Sequence, residues 1–272
     1  NATIVVRDAV TRAVVTNGVT DASGTFYAAG MTEAYYDLEV KRLEAGNNIS
    51  SVTGKLAYEI TGSACDGYAI NYRIANRIVY AEGGPQVIDS QMTSWESGDG
   101  LQLDITQKQY VDSKINSESR IKVKKDSATA PGKGLITTTD SKEFELAPEA
   151  VFPTAYQAKL VDSAIKGVTR DITTIYEGSE EEKAMRAISF IGPKKLAEGL
   201  PEGAGDLTKM AAWPVSISYY AQDAQDDEQP LYQASFLMLE NGISTDLVLD
   251  YGSYSLSGKL TKLELLKSDT CP

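Results

Sequence analysis

Histidine is missing altogether from this 272-residue chain. Its absence rules out a Ser-His-Asp or Cys-His nucleophile and any zinc or facial-triad iron site that relies on imidazole. Cysteine is almost missing: Cys65 and Cys271 are the only two, and their separation matches no zinc-ligand spacing. Long apolar runs are lacking too, since no stretch approaches the roughly 18 residues that a membrane-spanning helix needs. Positive charge is scarce, with 26 Lys and Arg against 38 Asp and Glu and a net charge of −12. Such a surface repels phosphate backbones and anionic headgroups at long range, so nucleic acid is not an expected partner. Residues 1–30 lack the basic start and apolar run of a signal peptide, so a mature or trimmed chain is expected. The acidic stretches Glu177 to Glu182 and Asp223 to Gln229 lack the spaced oxygen ligands and glycine of a calcium loop and read as solvated faces. No cofactor and no metal is expected.

What is present is a globular balance, 42% apolar and 24% charged, with length enough to bury a substantial core. From Tyr36 onward a period of two dominates. Tyr36, Leu38 and Val40 alternate with charged residues, and Leu56, Tyr58 and Ile60 repeat the pattern after the Gly46-Asn47-Asn48 turn. The longest such run places Tyr68, Ile70, Tyr72, Ile74, Ile78 and Tyr80 on one face. At about 3.3 Å per residue it spans roughly 40 Å, a length at which accumulated twist bends a sheet. Further strands are expected around 86–95, 101–105, 121–123, 144–146, 168–177, 183–191 and 215–219. The clearest hairpin is Leu231 to Leu239, Asn241-Gly242 and Ile243 to Tyr251, with Asn-Gly as a two-residue type I′ turn. Regular spacing of strands and turn residues is the all-β pattern. The expected fold is mainly β: a large antiparallel curved sheet, a β-spiral or incomplete barrel, forming one domain over 35–272. Residues 1–34 read as an N-terminal extension.

One helix interrupts the strands. Thr154-Ala155-Tyr156-Gln157 has the form of a capping box, and Gly167 supplies a left-handed stop after Lys166. Tyr156, Leu160, Val161, Ala164 and Ile165 form an apolar stripe, so this amphipathic helix is expected to cover the open side of the sheet. Ser163 and Lys166 have Ser-x-x-Lys spacing, but without partner motifs Lys166 is better read as serving the helix end. Asn48-Ile49-Ser50 fits a glycosylation acceptor, a pattern that means little if the source is bacterial.

The cysteines admit two readings: separate buried thiols, or a bridge, which their placement at a strand start and near the C-terminus favours. A bridge would close nearly the whole chain into one loop, worth roughly 5 kcal/mol on the chain-entropy model, and would imply an oxidising compartment.

Several ordered segments together resemble the periplasmic EipB-like family of Gram-negative bacteria. They are Tyr58-Glu59-Ile60-Thr61-Gly62-Ser63-Ala64-Cys65-Asp66-Gly67-Tyr68, then Thr93-Ser94-Trp95-Glu96-Ser97 with Asp99-Gly100, and Trp213-Pro214-Val215. Pro230-Leu231-Tyr232 with Ser235-Phe236, Glu240-Asn241-Gly242-Ile243, Leu249-Asp250-Tyr251-Gly252 and Cys271 complete the set. The resemblance runs from about Tyr35 to the C-terminus. Before Tyr35 the chain departs from the family pattern, with Thr32-Glu33-Ala34 in place of a His-Arg-Ala entry. The resemblance implies a periplasmic β-spiral or barrel, a disulfide between Cys65 and Cys271, and a loose likeness to the LolA and LolB lipoprotein carriers.

Two functional readings follow. In the first, a non-catalytic periplasmic protein supports envelope integrity by holding an acyl chain, a lipid or a lipoprotein segment, with a periplasmic protein as a further partner. Its cavity would be lined by Tyr68, Ile70, Tyr72 and Ile74 from the long strand and by Tyr156, Leu160 and Ile165 from the helix. In the second, paired carboxylates hydrolyse an envelope polymer.

Overall fold

The computed structural model describes residues 18–20, 26–28, 31–46, 48–178, 182–225 and 227–266. Cys271, the readings for residues 1–17, and Ser179, Glu180 and Glu181 of the first acidic stretch lie outside them. In chain order the elements are β1 (Gly18–Thr20), β2 (Phe26–Ala28), β3 (Met31–Leu43), β4 (Ile49–Ser63), β5 (Gly67–Tyr80), β6 (Pro85–Glu96), β7 (Gln102–Val111), β8 (Lys114–Lys125), β9 (Gly132–Thr137) and β10 (Ser141–Leu146). Helix α1 (Pro153–Ile165) follows. The remainder is β11 (Arg170–Ile175), β12 (Met185–Ile191), β13 (Lys195–Leu196), a 3₁₀ turn (Gly205–Lys209), β14 (Ala211–Ala221), β15 (Tyr232–Leu239), β16 (Ser244–Asp250) and β17 (Tyr254–Leu266).

β1 pairs with β2, and the other strands form one antiparallel sheet of 15 strands. Its order is a meander, β10-β9-β8-β7-β6-β5-β4-β3, joined through β17 to β16-β15-β14-β12-β11, with β13 attached to β14. The expected mainly β architecture is therefore what the chain adopts, with a single α-helix among the described residues. Period-two alternation explains it locally. In β8, for example, Ile121, Val123 and Lys125 are buried while Arg120, Lys122 and Lys124 are exposed. The register between β4 and β5 runs from Ile49↔Tyr80 to Ser63↔Gly67, so the twist of these long strands accumulates into strong curvature.

The sheet path stays open, because its edge strands β10 and β11 do not pair. They are consecutive strands, and the segment between them fills the gap. Val151 forms a parallel bridge to Ile175: its amide donates to the Thr174 carbonyl at 2.9 Å, and its carbonyl accepts from Tyr176 at 2.9 Å. Beyond β11, the Gly178 carbonyl accepts from Gln107 Nε2 at 3.3 Å on the opposite wing. Tyr176 is fully buried there, against Phe144, Leu103 and Ile121. A second core lies under α1, where Leu160 and Val161 meet Ile175, Trp213 and Ile217. A third, around Leu38, Leu56, Leu256 and Ile243, holds β3–β5 to β16 and β17.

Two local expectations need correction. The 239–243 hairpin closes through Leu239 N–H to Ile243 O at 2.8 Å, leaving a three-residue loop, Glu240-Asn241-Gly242, instead of a two-residue turn. Only Gly242 has positive φ there, as a type I turn followed by a left-handed residue requires. The helix also starts two residues earlier than the capping box implies. Pro153 occupies the first turn, Phe152 is the N-cap, and no side chain of the helix caps itself. The far end is as read: Gly167 at φ 74° donates to Ala164 O, and Val168 donates to Ser163 O, a Schellman stop.

Candidate functional site

The missing cap is supplied from the sheet. Glu96, at the end of β6 and 2% exposed, accepts from the amides of Thr154 at 2.8 Å and Ala155 at 3.1 Å. A carboxylate here satisfies two amides that no helical carbonyl can reach and complements the helix dipole. Burial nevertheless pushes its carboxyl up to about 7, with both amides pulling the other way.

Glu96 belongs to a corner where two sequence motifs interlock. Ser63 Oγ accepts from the Cys65 and Asp66 amides at 3.2 and 3.1 Å and so forms the β4–β5 turn. Trp95 lays its ring over Gly67 and donates from Nε1 to Asp66 O at 3.3 Å. A Cβ on Gly67 would sit 2.6 Å from the Glu96 carbonyl, and one on Gly98 only 1.9 Å from the Ala64 carbonyl. Ser97 Oγ then accepts from Gln102 N–H at 2.8 Å, closing the β6–β7 turn. The corner thus fixes where α1 begins and how it lies across the sheet.

Under α1 the concave face forms a half-open cavity of about 860 Å³. Of the residues expected to line it, Ile70, Tyr72, Tyr156 and Leu160 do so. Tyr68 and Ile74 share the inward parity but lie beyond its ends: Tyr68 packs with Ile60, and Ile74 joins the cluster around Leu38. Ile165 is 47% exposed, because it sits in the last helical turn on the side away from the sheet. Lys166, at the same end, pairs with Asp162 at 2.7 Å.

The opposite wall brings in Tyr219, Tyr232, Phe236 and Tyr251. The rings of Tyr219 and Tyr232 stack at 4.3 Å, and Tyr58 meets Tyr72 edge-on at 6.4 Å. Tyr156 and Ser189 share a hydrogen bond of 2.6 Å, while Tyr36 donates to Ser244 O at 2.6 Å. Burial raises the Tyr36, Tyr58, Tyr72, Tyr156 and Tyr219 phenols well above their ordinary value, so they stay neutral. At one end the wall turns polar through Ser90, Gln107, Gln109, Ser117 and Ser119. Glu177, read from sequence as part of a solvated turn, instead faces the cavity and accepts from Tyr232 at 2.9 Å. It is the one carboxylate among the described lining residues, so a two-carboxylate hydrolysis has no second partner among them. Among the described residues no cluster of three or more acidic or cysteine side chains is arranged for a metal, and no helix is long and apolar enough to cross a membrane.

Comparison with known proteins bears on this architecture. The EipB-like family profile matches residues 27–267. The chain is similar to a protein of Brucella abortus (strain 2308) named Cell envelope integrity protein EipB, with 33% identity over 235 residues, 85% of this chain and 82% of that one. It is also similar to a crystal structure from Brucella abortus described as a β-barrel-like protein of a domain of unknown function. That match has a TM-score of 0.80 and 30% identity, covering 88% of this chain and 99% of the other.

Proposed function

The chain belongs to the EipB-like family, and on that premise we propose that it is a non-catalytic periplasmic protein that supports cell-envelope integrity by holding an amphiphile under α1. The observation that carries this reading is the 860 Å³ cavity walled by Leu160, Ile70, Phe236 and the tyrosine rings. Its size falls within the roughly 300–1,000 Å³ of small-ligand sites. Apolar walls with a polar strip at one end suit an acyl chain, a lipid or a lipoprotein segment better than a fully polar solute. Mass spectrometry of lipid extracted from protein purified out of the native envelope tests it. Acyl lipid is expected in near-stoichiometric amount, and Leu160→Asp is expected to abolish it; protein that is reproducibly empty and takes up no long-chain fatty acid would overturn the reading.

The same compartment accounts for the cysteines, and we infer that Cys65 and Cys271 form a bridge. β17 brings the chain towards Cys65. Leu266 pairs with Met31, whose neighbour Thr32 pairs with Ile60, and Leu266 packs on the Ile60–Tyr68–Ile70 cluster. The five residues from 266 to 271 span at most about 17 Å, enough to reach a turn that begins just after Ser63.

A further inference from the structure

We propose that Glu177 and the tyrosine rings around it form a subsite for a cationic head group, an organic ammonium. The proposal rests on the amphiphile-binding reading and specifies which amphiphiles the cavity selects. Tyr72, Tyr156, Tyr219, Tyr232 and Tyr251 line the same cavity as Glu177, and Tyr232 donates directly to its carboxylate. The charge of Glu177 reaches all five rings, since it adds to the upward shift of each phenol.

Aromatic faces attract a cation through their quadrupoles, and a desolvated ammonium gains most where several faces converge. A carboxylate beside them supplies the counter-charge. The stacked Tyr219–Tyr232 pair presents broad π surface on one side, with Tyr72 on the facing wall. The one cationic side chain of the described lining, Lys108, is matched by Glu118 at 3.1 Å. The converging rings and the Glu177 carboxylate together favour a positive head group, whereas an anionic one placed beside Glu177 meets like charge.

Isothermal titration calorimetry on the full chain tests this with dodecyltrimethylammonium, laurate and dodecyl glucoside, all below micellar concentration, and with tetramethylammonium alone. Dodecyltrimethylammonium is expected to bind about tenfold more tightly than laurate. Glu177→Gln should bring the three dodecyl probes together while chain binding persists. If that variant fails to fold, Tyr251→Leu decides, and it should weaken the ammonium probes selectively. Equal affinity of the three dodecyl probes for the native protein overturns the ammonium subsite and leaves the amphiphile reading standing. Tetramethylammonium binding that depends on Glu177, without any chain binding, keeps the subsite and removes the acyl-chain reading. No binding of any probe overturns both.

Discussion

Glu96 offers the sharpest test of how α1 is held. Replacing it with alanine leaves the Thr154 and Ala155 amides, now bonded at 2.8 and 3.1 Å, without an acceptor in a buried corner. A lost cap and two orphaned donors together cost about 3 kcal/mol. Glu96→Gln keeps an acceptor but cannot ionise, which isolates the charge. The folded carboxyl, near 7, binds its proton more tightly than the unfolded one, at the ordinary value of 4.5. Its contribution to stability is therefore complete below about pH 4.5 and is lost as pH rises through about 7, a swing on the order of 3 kcal/mol. Glu33 behaves alike: burial, then Glu264 and Glu59, raise it to about 7, so the native protein weakens over the same window from two sources. Subtracting the Glu96→Gln curve leaves the share of Glu96 alone. Urea unfolding followed by circular dichroism at about pH 5, 6, 7 and 8 supplies the curves. The gap between native protein and Glu96→Gln should shift in favour of the glutamine variant as pH rises. A gap that stays constant, or a Glu96→Ala loss under about 1 kcal/mol, refutes the reasoning.

The other predictions are simpler. Leu160→Ala should destabilise by about 2 to 5 kcal/mol in urea unfolding, and Ile165→Ala, on the wet side, by under about 0.5 kcal/mol; equal effects would mean that the helix is rotated from the position described. Gly98→Ala should unfold the corner or shift Trp95, read by its fluorescence, because its Cβ has no room beside the Ala64 carbonyl; a native spectrum and melting temperature would count against the interlocked turns. Native protein should gain the two hydrogens of one disulfide in mass on reduction, and Cys271→Ser should melt lower; two titratable thiols per chain in oxidising buffer would exclude the bridge.

Much of the fold was legible because period-two alternation is a local signal. Tyr36 to Val40, Tyr68 to Tyr80 and Val215 to Tyr219 all place their large residues on the inner face. What the alternation could not fix was turn geometry. Asn241-Gly242 has the composition of a two-residue turn but sits in a three-residue loop. Asp112-Ser113, with φ of 49° and 66° and no glycine, makes the tight two-residue turn between β7 and β8. Turn type depends on which residues pair across the strands, and pairing is a property of the sheet. The helix start failed for a related reason. Thr154 looks like a cap only when neighbouring residues are considered, whereas the acceptor comes from Glu96, 58 positions earlier.

The cavity was half legible for the same physical cause. Ile70, Tyr72, Tyr156 and Leu160 follow from face and stripe, but parity says which side a residue faces and not where along the strand a void begins. Tyr68 and Ile74 show the difference, since both face inward and both are covered by other core residues. Glu177 is the instructive failure. An acidic run after a strand reads as solvated because burying charge is costly. Here the backbone leaves β11 through the Val151 bridge, buries Tyr176, and is pinned by Gln107 to the Gly178 carbonyl. Those long-range contacts bring Glu177 to the Tyr232 hydroxyl. A carboxylate held against a tyrosine-lined cavity by structure built around it is poorly explained as a solubilising charge. If its role were only to keep the loop wet, Glu177→Lys would leave amphiphile binding unchanged. On the reasoning above, that substitution reverses the head-group preference from ammonium to carboxylate, which titration with the same dodecyl probes can read.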